Sequence, residues 1–143
     1  VVSTGDFAVL RYPLVDGRAG PPSVVVDNLP AFPDNVSADG NLLWVALATP
    51  RSVLHDRVAP LPGIVRRLAY RLPASLRQGE STTWVMALDS DGVVVHDLQS
   101  ALPEYSMVTS VVRRGTQLVL GSITESALAV VDLPPTAVVS AER

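Results

Sequence analysis

Short apolar runs alternate with polar turns along most of the chain, and this pattern predicts β-strands joined by tight hairpins. The runs are rich in valine, leucine and aromatic residues, and glycine follows many of them. The clearest hairpin joins residues 84–88 to residues 93–98, because Asp91-Gly92 between them supplies the positive φ angles that a tight turn needs. The predicted strands cover residues 7–12, 24–27, 42–47, 84–88, 93–97, 107–112, 118–122 and 127–132.

An internal repeat organises these strands. Residues 36–46 match residues 111–121 in pattern: a strand, a polar turn with a glycine, and a strand that ends in a small residue. Residues 94–98 match residues 129–133 in the same way. An inner hairpin followed by an outer hairpin makes the four-stranded blade of a β-propeller. The sequence therefore predicts an all-β fold, a partial propeller of about two to three blades.

The expected division of the chain follows the repeat. We expect residues 1–27 to end one blade, residues 28–98 to form the next, residues 99–133 to form the last, and residues 134–143 to be a tail.

A helical insertion is predicted within the second blade, at about residues 50–80. Residues 63–72 place apolar side chains on one face at helical spacing and arginines near the other, and Pro62 and Pro73 bracket the segment. We expect this short helix to be a lid packed on the propeller. Contact of the basic helix with a membrane surface is the less favoured alternative.

Composition and charge narrow the function classes. The chain has 143 residues, of which 48% are hydrophobic, enough to bury a core and to exclude a disordered tail. The net charge of -3, with scattered arginines, argues against a nucleic-acid partner. Cysteine is absent, so only oxygen ligands or the two histidines could hold a metal. Residue 1 is Val, so we expect the native N-terminus to lie upstream.

A family resemblance emerges from residues 28–36, Asn-Leu-Pro-Ala-Phe-Pro-Asp-Asn-Val, together with residues 39–41 and 44–47. The chain resembles the strictosidine synthase-like propellers, and especially the adipocyte plasma membrane-associated protein branch, to about residue 133. The resemblance implies six blades around a central channel, of which this chain would supply the C-terminal part. Blade edges would then be left unpaired, so we expect self-association if the chain occurs alone.

Asp34 and Asn35 are the best candidate metal ligands. They lie where a loop enters an innermost strand, and their oxygens suit Ca²⁺ or another divalent cation. In the related gluconolactonase and paraoxonase propellers the matching Asp, and in the latter also the Asn, bind the catalytic metal. The resemblance thus implies a metal that polarises an ester or lactone carbonyl. The residues alone equally allow an Asx turn after proline.

The other candidates for chemistry are weaker. Thr109 stands where the resemblance places the catalytic Glu of strictosidine synthase, and a threonine cannot exchange a proton near neutral pH. Glu104 is a poor substitute. His55, in the insertion, is a weak catalytic candidate, and an exposed loop histidine is the favoured alternative. His96 is expected to be a half-buried structural residue hydrogen-bonded to backbone.

The expected parent is therefore a divalent-metal-dependent hydrolase of small esters or lactones. A non-catalytic propeller that binds or scaffolds is the alternative, and amine–aldehyde condensation ranks third because of Thr109. Two ligands cannot complete the six to eight oxygens that calcium takes, so the isolated chain is expected to be inactive.

Overall fold

A computed structural model describes residues 1–52, 57–58, 60–64, 67, 81–100 and 104–134. Within these ranges the regular structure is almost entirely strand, apart from a 3-10 turn at Thr4–Asp6 and helical residues between positions 57 and 67. The predicted all-β class is confirmed. The strands are β1 Val2–Ser3, β2 Ala8–Arg11, β3 Leu14–Val15, β4 Arg18–Ala19, β5 Ser23–Val26, β6 Ala31–Asp39, β7 Leu42–Pro50, β8 Thr83–Leu88, β9 Val94–Ser100, β10 Val108–Arg114, β11 Gln117–Ser122 and β12 Ala129–Asp132.

The central sheet is a four-stranded antiparallel meander in the order β6-β7-β8-β9. Consecutive strands are neighbours, so hairpins suffice except between β7 and β8, where the chain runs through residues 51–82 before it returns. The β6–β7 turn contains Gly40 at φ 57, a left-handed conformation that favours glycine. We call this meander the central sheet.

Two further sheets flank it. The first sheet has the order β1-β2-β5, and the small β3–β4 hairpin projects between β2 and β5. The last sheet has the order β10-β11-β12. Three antiparallel meanders packed in sequence are compatible with a partial propeller.

The internal repeat is confirmed at the level of backbone pairing. Asp39 pairs with Leu42 across the first turn, and Arg114 pairs with Gln117 across the second. The two pairs occupy matching positions when residues 36–46 are aligned with residues 111–121. Gly115 has φ 60, which is close to the value at Gly40. The two inner hairpins, β6–β7 and β10–β11, are therefore copies of one structural unit.

Among the described residues the core consists of two apolar clusters, one on each face of the central sheet. Alternate residues of β7 point to opposite faces, so Val45 and Leu47 enter the first cluster while Trp44 and Ala46 enter the second. The first cluster joins the central sheet to the first sheet through Phe7 and Val9. The second cluster joins the central sheet to the last sheet. The residues of the last sheet in this cluster are Val108, Val111, Leu118 and Leu120.

The predicted helical insertion is only partly covered by the described residues. Gly63, Ile64 and Arg67 are helical, and the rest of residues 63–72 lies outside the described residues. Its proposed roles as a lid or membrane contact stay predictions. In the part of the chain that the structure describes, no helix has the length and apolarity needed to cross a membrane.

Candidate functional site

Asp34 and the start of the insertion lie at the same end of the central sheet. Since β6 and β7 are antiparallel, the start of β6 and the end of β7 lie at the same end. The insertion leaves β7 at this end, and the start of β10 and the end of β11 lie in the equivalent position of the last sheet. Asp34 is the fourth residue of β6 and lies near this end.

Asp34 and Asn35 lie inside strand β6, whereas the sequence placed them where a loop enters the strand. The strand begins earlier, at Ala31, despite the unfavourable Pro33. A β-bulge accommodates them: Pro33 pairs with Leu47 and Val36 with Val45, so both residues face Ala46.

The carboxylate of Asp34 is the free group of this pair. Asp34 is partly exposed, and among the described residues it makes no hydrogen bond or ion pair. The Asx turn, which would have bonded its side chain to nearby backbone, does not form. Bulges re-aim side chains and recur near functional sites, so the location suits a ligand-binding carboxylate.

Asn35 is held against the last sheet. Its Nδ2 donates a hydrogen bond to the carbonyl oxygen of Thr109 at 2.9 Å. Thr109 itself is the extra residue of a bulge in β10, between the pairs Val108–Ser122 and Ser110–Gly121. The side chain of Asn35 therefore has a structural partner for its nitrogen, while its Oδ1 remains able to accept.

Two further contacts continue this line along the inner strands. Ser37 Oγ donates to the carbonyl of Val111 at 2.6 Å, and Arg113 Nη1 lies 2.9 Å from Asp39 Oδ2. Alternate residues of β6 thus contact alternate residues of β10. We call these three contacts the inner-strand ladder. It fixes the position of the Asp34 bulge relative to the last sheet.

Few metal-ligating side chains lie near Asp34 among the described residues. Among the described residues no group of three or more His, Cys, Asp and Glu side chains is arranged to hold a metal. Asp34 and Asn35 offer a carboxylate and an amide oxygen, against the six to eight oxygens of a typical calcium site. The described part of the chain therefore supplies two side-chain donors, and a calcium ion held here would need further oxygens from elsewhere.

A carboxylate that sequence reasoning missed lies at the same end of the last sheet. Glu125 Oε1 accepts from Thr124 Oγ1 at 3.3 Å and lies 3.5 Å from Ser106 Oγ. Ser122 Oγ in turn donates to the carbonyl of Ser106 at 2.6 Å. The internal repeat could have found it, because Glu125 follows β11 where the insertion follows β7. Its bonds to neighbouring hydroxyls order this loop.

The remaining candidates are placed as follows. The backbone of Thr109 contacts Asn35, and Glu104 is exposed. His55 lies outside the described residues and stays a prediction. His96 is half-buried, and its ring stacks on Trp44 with centroids 5.5 Å apart. The predicted half-burial of His96 is confirmed, whereas the contact found among the described residues is this ring stack in place of the expected hydrogen bond to backbone.

An outer groove of about 290 Å³ separates the central and last sheets, and its apolar floor includes Leu98, Leu118 and Val131. Its two carboxylates already have partners. Asp97 accepts from Trp84 Nε1 at 2.6 Å, and Asp132 accepts from Gln117 Nε2 at 3.0 Å. These bonds join strands within each sheet, so the described residues that line the groove leave no charged group without a partner.

Comparison with known proteins gives one partial similarity. The chain is 40% identical over 47 residues to Adipocyte plasma membrane-associated protein Hemomucin of Drosophila melanogaster. The match covers 33% of this chain and 8% of the fly protein. No family model matches the chain, and no solved structure matches it significantly. The similarity is partial, and the antiparallel sheets of the described residues are compatible with a partial propeller.

Proposed function

We propose that this chain contributes Asp34 to a divalent-metal site in a propeller-type hydrolase of esters or lactones. The observation that carries the proposal is the carboxylate of Asp34. It lies on the bulge of an inner strand, is partly exposed, and makes no hydrogen bond or ion pair among the described residues. A carboxylate that stabilises nothing in its own fold is available to a ligand.

Asn35 is the second donor in this proposal. The hydrogen bond from its Nδ2 to the carbonyl of Thr109 restrains the amide, which leaves Oδ1 as the atom for a cation. Backbone carbonyls and waters add to most calcium sites, and here further donors must come from outside the described residues. With two side-chain donors we expect weak affinity, a Kd of about 10⁻⁴ to 10⁻³ M.

A non-catalytic binding or scaffold module is the second candidate. Two observations favour it: the described residues contain no larger group of metal-ligating side chains, and Asn35 already serves as a bridge between sheets. In that case the bulge residues would have a purely structural purpose. Metal binding separates the two candidates.

Calorimetric titration of Ca²⁺ into the 143-residue chain tests the proposal. The wild type should bind in the stated range, and Asp34→Asn should abolish the heat. The matched control is Asp27→Asn, which removes an exposed carboxylate that also makes no hydrogen bond or ion pair among the described residues. Equal binding by Asp34→Asn and the wild type, or no binding by either, would support the non-catalytic module.

A further inference from the structure

We propose that Asp16 is a site of spontaneous isoaspartate formation, through ring closure with the backbone nitrogen of Gly17. Isoaspartate is a modification of the main chain, and it is the group that isoaspartyl carboxyl methyltransferases recognise. This inference goes beyond the proposed metal site and does not depend on Asp34. It rests on how differently the fold restrains the three Asp-Gly pairs of the sequence, which are Asp16-Gly17, Asp39-Gly40 and Asp91-Gly92.

The reaction needs no co-reactant other than water. The Gly17 nitrogen bonds to Cγ of Asp16, and its hydrogen leaves with the carboxyl hydroxyl as water, which gives a succinimide ring. Water then opens the ring. Cleavage between the nitrogen and Cγ restores aspartate, whereas cleavage between the nitrogen and the main-chain carbonyl carbon of Asp16 leaves the chain running through Cγ. No electrons are transferred. Glycine favours the closure because it has no Cβ beside the attacking nitrogen.

Asp16 and Gly17 are the two turn residues of the β3–β4 hairpin, since Val15 pairs with Arg18. Their φ angles are 51 and 74, the left-handed pair of a tight hairpin turn. Among the described residues neither the Asp16 carboxylate nor the Gly17 N–H has a hydrogen-bond partner. A Cβ at Gly17 would meet nothing within 4 Å. Both reacting groups are therefore free to leave the turn geometry and approach each other.

The hairpin that carries this turn is weakly held. Each of its strands has two residues, and all of these residues are exposed. A backbone bond of 2.8 Å from the Gly20 N–H to the carbonyl of Pro13 closes its base. A two-stranded hairpin is marginally stable by itself. Local opening of the turn therefore sacrifices few bonds and little buried surface.

The Asp39-Gly40 pair is restrained by an ion pair. Asp39 lies in strand β6, and its Oδ2 is 2.9 Å from Nη1 of Arg113 in the last sheet. Ring closure removes the carboxyl hydroxyl, so a carboxylate kept ionised by a guanidinium is a poor target for the neighbouring nitrogen. The contact must break before Asp39 can react.

The Asp91-Gly92 pair is restrained through its backbone. The Gly92 N–H donates to the carbonyl of Asp89 at 3.2 Å, and the Asp91 N–H donates to Asp89 Oδ1 at 2.9 Å. Gly92 also lies against β5, where a Cβ would come within 1.9 Å of the carbonyl oxygen of Val25. The attacking nitrogen of this pair is thus bonded and packed, unlike that of Gly17.

Peptide mapping of the 143-residue chain tests the proposal, because cleavage after arginine puts the three pairs into separate peptides, residues 12–18, 19–51 and 78–113. The folded chain is incubated at neutral pH and physiological temperature. Isoaspartate is then measured by electron-transfer fragmentation and by methyl incorporation with an isoaspartyl methyltransferase. A hydrogen bond or ion pair that must break slows opening by a factor of about five. We therefore expect peptide 12–18 to gain isoaspartate at least about five times as fast as either other peptide.

Two controls separate the fold from the local sequence. In guanidinium chloride the three pairs lose their partners and should isomerise at similar rates. Arg113→Ala, at a partly exposed side chain, removes the ion pair of Asp39 and should raise isoaspartate there while leaving the rate at Asp16 unchanged. Equal rates in the three folded peptides, or no isoaspartate at Asp16 while the denatured chain converts, would overturn the proposal. So would an Arg113→Ala chain with an unchanged circular dichroism spectrum in which Asp39 stays unreactive.

Discussion

At the scale of single residues, Asp34 and Asn35 are neighbours with different tasks. The amide of Asn35 bonds to the carbonyl of Thr109 across two sheets, while the carboxylate of Asp34 makes no hydrogen bond or ion pair among the described residues. The sequence singled out both residues but gave them one role. Periodicity could not separate them, because the bulge places both opposite Ala46 instead of alternating them.

This difference predicts unequal effects on the free energy of unfolding. Asn35→Ala should lower the free energy of unfolding by about 1 kcal/mol, because it deletes the hydrogen bond to Thr109. Asp34→Asn should change it by less than about 0.5 kcal/mol, as for a surface substitution without a partner. Urea denaturation in the presence of a chelator measures both. If Asp34→Asn were the more damaging variant, its carboxylate would have a structural partner and the proposed division of roles would be wrong.

Gly92 is required for a close approach between sheets. A Cβ at this position would lie 1.9 Å from the carbonyl oxygen of Val25 in β5, and the residue has φ 84. Gly17 has a similar φ of 74, with nothing within 4 Å of its Cβ position. The two glycines therefore separate backbone strain from steric contact.

Substitution by alanine should resolve these two effects. Gly17→Ala should cost about 1 kcal/mol, the strain of a left-handed residue. Gly92→Ala should cost at least about 2 kcal/mol more, because the β8–β9 turn must also move away from β5. Both costs are obtained from the denaturant concentration at the unfolding midpoint, provided that the slope of the unfolding free energy against denaturant is unchanged. Equal costs would show that the turn does not pack on the first sheet.

At the scale of elements, the sequence predicted most strands of the central and last sheets but missed the first part of β6. β7, β8 and β11 have aliphatic runs that pattern alone detects. β6 contains Pro33, Asp34 and Asn35, which strands usually avoid, and tertiary packing against two sheets overrides that preference. The contact between Glu125 and Ser106 carries no local signal, because it joins residues far apart in sequence.

The two apolar clusters predict additive core effects. Val9 lies in the cluster shared with the first sheet, and Leu120 lies in the cluster shared with the last. Val9→Ala should cost about 2 kcal/mol and Leu120→Ala about 3 kcal/mol, from lost burial and the cavity left behind. The double variant should equal their sum within about 0.5 kcal/mol, since the central sheet separates the sites. Thermal and urea unfolding of the three variants measure this, and a large coupling energy would mean one continuous core.

At the scale of the whole molecule, the repeat established most of the architecture. It predicted that residues 111–121 copy residues 36–46, and the matching turns at Gly40 and Gly115 confirm this. The number of metal donors could not be predicted in the same way. A coordination sphere depends on side chains brought together from separate strands, and a single sequence shows only those that are neighbours, such as Asp34 and Asn35.

The central claim, that Asp34 binds a divalent cation, is tested most directly by locating a bound ion. Mn²⁺ accepts the same oxygen ligands as calcium and broadens the nuclear magnetic resonance signals of nearby amides. In a titration of the isotope-labelled chain, the amides of Asp34, Asn35 and Ala46 should broaden first, and Asp34→Asn should remove the effect. Broadening centred elsewhere, for instance on the turn at Asp89 and Asp91, or broadening that survives Asp34→Asn, would contradict the account.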